Sequence, residues 1–383
     1  MPDRRWIIHR RPRKPSLSHR PPPASDNMPT GMRSPQTAPP SSALPPRPAI
    51  YHCVNRVVDR RFIFGDREKD KFIELMRMYE AFAGIRVLAH CVMSNHFHLM
   101  VEITPMPEEG ISDEVLLNRL AAIYDEAPVE AVEIELKCAR AAIEEGRASE
   151  NRAEEIRQRY IYRMHDLSEF MKSLVQRFTQ WYNRRNDRKG NLWEDAFRSI
   201  VVEPGAAARL VAAYIDLNPV RAGMVEDPAD YHWSSYGEAT PKPKQQQKKP
   251  TPANLRARAG LVRAFFVHQG GGPDASRWKA CHDIYRPWID QAMERIQAAR
   301  HGHPPGADDW KSPGSALTGR IRHFTHGVAI GSRSFIDSFF KEKRDRFGPK
   351  RTSGARTIRG RAAGVAQSEG ICTLRDLQKY IEE

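Results

Sequence analysis

The sequence predicts an α+β fold in which one antiparallel sheet carries helices on one face. Short segments of alternating apolar residues indicate strands, and longer segments with apolar residues spaced by three and four indicate helices. Over residues 49–218 these segments follow the order β-α-β-β-α-β-α. A very short turn separates the second and third strands, so these two must be antiparallel neighbours. The order is that of a split βαβ unit, the ferredoxin-like plan.

Each predicted element has its own signature. In the first helix Phe72, Met76 and Tyr79 form one apolar stripe, and Gly84 ends it. In the last helix of the unit, Pro219 marks the end, because the residue before a proline avoids helical geometry. The predicted elements are strands over residues 49–58, 85–93, 96–103 and 197–202, and helices over residues 67–83, 166–185 and 206–218.

Changes in composition divide the chain into regions. Residues 1–47 are rich in Pro, Arg and Ser, and we interpret them as a disordered basic tail. Residues 48–237 form the predicted catalytic domain. Within it, residues 106–156 carry 14 acidic and 5 basic side chains and are predicted to be a helical insertion. Residues 238–253, rich in Pro, Lys and Gln, are typical of a linker. Residues 254–383 are predicted to be a basic helical region and a candidate DNA-binding element.

The overall charge favours a polyanionic partner. The 383 residues carry a net charge of +14, and such an excess is typical of proteins that bind nucleic acid or acidic surfaces. No apolar run approaches the ~18–20 residues that a membrane span needs. The 5 cysteines are scattered and form no CxxC pair, which argues against a zinc ribbon and a disulfide framework. We therefore expect a soluble, intracellular protein.

Two histidines on the third predicted strand are candidate metal ligands. Alternation along the strand places His96 and His98 on one face and Phe97 on the other. Two imidazoles so placed can bind one divalent ion, although such a pair also occurs as ordinary polar surface. The motif alone does not decide between these interpretations.

The last helix of the unit offers a nucleophile and a second kind of ligand. Tyr214 and Asn218 are four residues apart, so they share a helix face. A phenol with its usual pKa near ~10 is a poor nucleophile, but beside a divalent cation it can deprotonate and attack a phosphodiester. The amide oxygen of Asn218 is a hard ligand suited to magnesium or manganese. The alternative is that Tyr214 is a core residue with its hydroxyl at the rim.

Together these features resemble the HUH single-tyrosine transposases. Residues 93–102 (MSNHFHLMVE) are similar to the histidine–hydrophobe–histidine motif of that family. Residues 214–225 (YIDLNPVRAGMV) resemble its nucleophile helix, and residues 231–236 (YHWSSY) resemble an element that follows it. The resemblance covers residues 48–105 and 166–237, and the subgroup it fits best is the REP-associated tyrosine transposases.

The resemblance implies a metal-dependent single-stranded DNA endonuclease and strand transferase. Tyr214 would be the nucleophile, while His96, His98 and Asn218 would hold Mg²⁺ or Mn²⁺. The products would be a 5′-phosphotyrosyl enzyme and a free 3′-OH. The expected substrate is hairpin or palindromic DNA, bound by a monomer or homodimer in the bacterial cytoplasm, at the nucleoid and without a membrane partner.

A set of arginines completes the prediction. Arginines on the polar face of the second long helix and around the last strand could follow DNA phosphates, although a solvated surface is an equal alternative. A protein that binds hairpins without cutting them is the main alternative function. A replication-initiator or relaxase nickase and an RNA-binding module are less favoured, because their usual accompanying motifs are absent. The predicted DNA-binding residues are Arg177, Arg184, Arg185, Arg198 and Arg221.

Overall fold

The computed structural model describes most of the chain after the N-terminal region. The predicted tail, residues 1–47, and the middle of the predicted linker, residues 242–248, lie outside the described residues. The described ranges are residues 49–241, 249–266, 274–302, 317–318, 322–349, 351–357 and 370–375.

Helices and strands alternate through the first half of the described chain, and helices dominate the second half. Their bounds in chain order are β1 (Ala49–Arg56), α1 (Asp66–Ala83), β2 (Arg86–Val92), β3 (His96–Ile103), α2 (Asp113–Leu120), α3 (Glu126–Glu144), α4 (Arg152–Ile161), α5 (Leu167–Arg185), β4 (Arg198–Val202), α6 (Ala206–Asp216), α7 (Asn218–Arg221), α8 (Ser235–Ala239), α9 (Pro252–Phe266), α10 (Trp278–Arg300), α11 (Arg322–Thr325), β5 (Ala329–Gly331), α12 (Arg333–Glu342), β6 (Ala355–Thr357) and β7 (Cys372–Leu374).

The predicted split βαβ unit is confirmed. β1 pairs antiparallel with β3 on one side and with β4 on the other, and β3 pairs antiparallel with β2. β1 and β2 are therefore parallel and separated by β3. The crossover helices α1 and α5 both pack on one face, where Phe72 and Phe178 lie against each other and Phe72 contacts Phe97 of β3 at 4.5 Å between ring centroids.

Helices also cover the opposite face of the sheet, whereas the sequence predicted helices on one face only. There α6, α9 and α10 contribute to a second buried cluster that includes Tyr214, Leu261, Ile289 and Met100 of β3. Because strand side chains alternate, the histidines of β3 point into this second layer rather than toward α1 and α5. The candidate site is therefore enclosed between the sheet and the later helices.

The acidic insertion is helical, as predicted, and consists of α2, α3 and α4. The insertion contributes Leu116, Leu136 and Ile156 to the same buried apolar cluster as α1 and α5. Part of its acidity is neutralised internally, since Glu135 pairs with Arg159 at 2.5 Å. The insertion thus packs on the side of the sheet that faces away from Tyr214.

The C-terminal region was predicted to be helical, but it also contributes strands to the sheet. α9 and α10 lie where helices were predicted, but β5 continues the sheet by pairing in parallel with β4. β7 and β6 follow, so the described residues form a sheet of seven strands in the order β2-β3-β1-β4-β5-β7-β6. Each added strand has three residues, too few for an alternating pattern to stand out in the sequence.

A buried carboxylate joins α9 to the sheet. Glu102 of β3 is fully buried and accepts hydrogen bonds from Arg263 of α9 at 2.8 Å and from Arg86 of β2 at 2.7 Å. Two guanidinium groups thus compensate one desolvated charge. Removal of one member of such a group leaves a buried charge without compensation.

We expect Glu102→Gln to lower the free energy of unfolding by about 3 kcal/mol, because it leaves Arg263 without its counter-charge in a desolvated place. Urea denaturation followed by circular dichroism measures this loss. The matched control is Glu133→Gln, which removes the pair with the exposed Lys137 of α3 and should cost less than about 0.5 kcal/mol. Equal losses in the two variants would contradict the role given to Glu102.

Candidate active site

β3 and α6 position the central residues of the candidate site. α6 packs across the face of the sheet onto which alternate residues of β3 project, and Tyr214 lies in its last turn. The rings of Tyr214 and His98 lie 5.6 Å apart between centroids and are nearly perpendicular, while those of His96 and His98 are 5.0 Å apart. The structure therefore brings His96, His98 and Tyr214 together.

Asn218 begins α7 directly after the nucleophile helix. Its Nδ2 group donates to the main-chain carbonyl oxygens of Tyr214, at 3.0 Å, and Ile215, at 3.2 Å. Both amide hydrogens are thus used within the chain, so Oδ1 is the atom available for a ligand. The hydrogen bonds also tie the position of Asn218 to that of Tyr214.

A third histidine, His52 of β1, belongs to the site and was not predicted. Its Nε2 lies 3.0 Å from Nδ1 of His98, and the two rings stack. Burial lowers the pKa of His52 to about 4 and that of His98 well below its usual value. Both imidazoles are therefore neutral at pH 7, and one hydrogen atom is shared between them. When that hydrogen is on Nδ1 of His98, the Nε2 lone pair of His98 is available to a ligand.

The donor atoms fit a divalent cation that takes further ligands from elsewhere. His96 bonds through Nδ1 to Asn95 Oδ1 at 2.7 Å, which leaves its Nε2, and burial lowers its pKa to about 4. Hydrogen bonds of this kind orient metal-binding imidazoles. Two imidazole nitrogens and one amide oxygen suit Mn²⁺ or Mg²⁺ only with added oxygen ligands. Within the described ranges, no three His, Cys, Asp or Glu side chains are grouped for metal binding.

Two arginines give the site a positive potential. Arg221 of α7 lies over the Tyr214 ring, 5.1 Å from its centroid. Arg56 of β1 lies directly opposite His96 in the antiparallel pairing of β1 with β3. Burial raises the pKa of Tyr214, while the charges of Arg221 and Arg56 act to lower it. The phenol is therefore protonated at pH 7, but the surrounding charges favour its phenolate.

Phe324 of α11 covers the candidate nucleophile. Its ring stacks on that of Tyr214 at 4.5 Å between centroids and 18° between planes, and Tyr214 is only 3% exposed. The main chain of Phe324 also interacts with His52 and raises its pKa against the effect of burial. A DNA backbone can reach the hydroxyl only if α11 shifts or the phosphate enters beside it.

The predicted DNA-binding arginines do not form one surface. Arg177, Arg184 and Arg185 are exposed on α5, on the opposite side of the sheet from Tyr214. Arg198 is exposed at the start of β4, and only Arg221 contacts the candidate nucleophile. The sequence could not separate them, because it does not reveal on which face of the sheet a helix packs.

We expect Phe324→Ala to make Tyr214 more reactive toward tetranitromethane, because the variant uncovers the phenol ring. The nitrated peptide is identified by mass spectrometry. Since removal of a buried phenyl ring costs about 3–5 kcal/mol, the control is Phe178→Ala, a similarly buried phenylalanine in the cluster on the other face. An equal increase in Tyr214 nitration in both variants would mean that global loosening, not α11, governs access.

Comparisons with known proteins agree with the histidine motif. Residues 48–113 match the family model of IS200-like transposases, a segment that contains β1, α1, β2 and β3. No curated protein matches the chain. No helix of the described residues is both long and apolar enough to cross a membrane.

Four solved chains match significantly. One of them is described as a REP-associated tyrosine transposase bound to a REP hairpin, with 12% identity, a TM-score of 0.32, and coverage of 56% of this chain and 94% of that one. The segment that matches the family model carries both histidines of the motif, and over these residues the chain is similar to IS200-like transposases.

Proposed function

We propose that the protein is a metal-dependent single-stranded DNA endonuclease and strand transferase of the REP-associated type. The observation that carries this proposal is the contact between Tyr214 and His98, with Arg221 over the phenol ring. A potential nucleophile, imidazole nitrogens and an uncompensated positive charge thus meet in one place. That combination suits attack on an anionic phosphodiester better than it suits a structural core.

In the proposed step, the Tyr214 hydroxyl oxygen attacks phosphorus in line with the leaving 3′ oxygen. The Oη–P bond forms and the P–O3′ bond breaks, which gives a 5′-phosphotyrosyl enzyme and a 3′-OH. The phenol loses one proton and the 3′ oxygen gains one, so the step neither releases nor consumes protons overall. Attack by another 3′-OH on the phosphotyrosine reverses the chemistry and joins two strands without external energy.

The residues around Tyr214 have distinct roles in this proposal. His96, His98 and Asn218 would hold Mg²⁺ or Mn²⁺, which would supply charge neutralisation at the non-bridging phosphate oxygens. His52 would keep His98 in the tautomer that exposes Nε2. Arg221 and Arg56 would favour the phenolate form of Tyr214 and attract the DNA backbone.

The proposed substrate is a hairpin with a single-stranded flank, handled by a monomer or homodimer at the nucleoid. Arg198 and the exposed arginines of α5 would contact phosphates outside the site. Since α5 packs on the other face of the sheet, the DNA would have to pass around a sheet edge to meet both groups. These contacts would add affinity that weakens with salt.

A protein that binds hairpin DNA without cutting it is the second candidate. The burial of Tyr214 beneath Phe324 favours it, because a nucleophile that stays covered cannot react. The two candidates make different predictions for covalent chemistry on the same DNA.

We expect a labelled hairpin oligonucleotide from the DNA beside the gene to form an SDS-resistant adduct with the wild-type protein in Mn²⁺ or Mg²⁺. The adduct should be lost in EDTA and in Tyr214→Phe, because metal and nucleophile are then missing. Tyr182→Phe is the matched control, since Tyr182 is half-buried on α5 away from the site, and it should retain the adduct. Denaturing gel electrophoresis measures all four reactions.

An adduct that persists in Tyr214→Phe would overturn the assignment of the nucleophile. Tight binding of the hairpin without any adduct in either metal would favour the non-cutting alternative.

A further inference from the structure

We propose that Arg221, assisted by Arg56, binds the DNA phosphate at which the strand is cleaved. The inference rests on the proposed function and extends it, because it assigns recognition of one particular DNA phosphate to the protein itself rather than to a bound metal ion. The ligand is a single phosphodiester anion.

The first observation is that part of the Arg221 guanidinium is buried without partners. Its Nε and Nη2 atoms are sealed from solvent, and neither has a hydrogen-bond partner. Most buried polar atoms in folded proteins are hydrogen-bonded, and an unpaired one requires an explanation. Of the ion pairs among the described residues, none involves Arg221, so no carboxylate there compensates its charge.

The second observation is the sign of the neighbouring charges. Arg56 lies directly opposite His96 in the pairing of β1 with β3, and Arg221 lies over the ring of Tyr214, which itself contacts His98. Burial lowers the pKa of Arg221 to about 10, which still leaves it protonated at pH 7. The site thus holds two cations close together, an arrangement that is unfavourable until an anion binds.

The third observation is where this charge lies. Arg221 sits over the ring of Tyr214, whose oxygen is the proposed nucleophile. The planar guanidinium presents parallel N–H donors that match two oxygens of one phosphate. An anion held by Nε and Nη2 would lie beside the phenol that attacks it. A carboxylate ligand would offer no bond for Tyr214 to exchange, so a phosphodiester fits better.

The test measures DNA binding without chemistry. Tyr214→Phe protein in EDTA is titrated by fluorescence anisotropy with the flanking hairpin, in which a single neutral methylphosphonate replaces each linkage of the single-stranded flank in turn. We expect one linkage at which the neutral group weakens binding by about tenfold or more, the range of a hydrogen bond to a charged group.

Arg221→Gln, made in the same background, should weaken binding of the unmodified hairpin by a similar factor. At the sensitive linkage, Arg221→Gln and the methylphosphonate together should weaken DNA binding no more than either change alone. Arg184→Gln, on the exposed face of α5, is the control, and its effect should add to that of the methylphosphonate at every linkage. Arg221→Lys, which keeps the charge but loses the paired donors, should fall between wild type and Arg221→Gln.

Thermal stability provides a separate readout. Arg221→Gln should melt at the same temperature as the parent or higher, because it removes an uncompensated buried charge. The proposal would be overturned if the losses of affinity caused by Arg221→Gln and by the methylphosphonate were additive at every linkage. A marked drop in the melting temperature of Arg221→Gln would also overturn it and make Arg221 a structural residue. These binding data need no cleavage, so failure of the adduct assay and failure of this proposal are distinguishable. A sensitive linkage other than the one wild-type protein cuts would also overturn it.

Discussion

The packing of α6 across one face of β3 is the contact on which the candidate site depends. Alternation along β3 sends Phe97 into the layer of α1 and α5 and His98 into the opposite layer, where α6 presents Tyr214. Apolar burial on both faces therefore fixes the separation between histidine and phenol. The same packing excludes water, which keeps the histidines neutral and makes their unprotonated nitrogens available.

Burial also explains why the charges of the site are unusual. A desolvated guanidinium normally has a carboxylate partner, as Arg263 has in Glu102. Arg221 lies in a similarly enclosed place and lacks one among the described residues. One arginine thus holds α9 on the sheet, whereas the other is arranged for an anion that the chain does not supply. The presence of a carboxylate partner for Arg263 and its absence for Arg221 within the described ranges thus distinguish an arginine that stabilises the fold from one that can bind a ligand.

Periodicity and strand alternation predicted the split βαβ unit and the shared face of His96 and His98. The expectation that Tyr214 joins them came from the resemblance to the transposase family, because no local pattern connects the last helix of the unit to β3. His52 was missed, since its place beside His98 depends on the pairing of β1 with β3, in which Val54 lies opposite His98. Phe324 lies more than 100 residues after Tyr214 in the chain, and no local pattern connects them. Side-chain burial likewise has no signature that could distinguish Arg221 from the exposed arginines of α5.

The measurement that addresses the central claim most directly is peptide mapping of the protein–DNA adduct. Wild-type protein would react with the flanking hairpin in Mn²⁺, followed by nuclease and protease digestion and mass spectrometry. A nucleotide joined through its 5′ phosphate to the peptide that contains Tyr214 is the predicted result. A nucleotide on any other residue, or joined through a 3′ phosphate, would contradict the assignment of Tyr214 as the nucleophile.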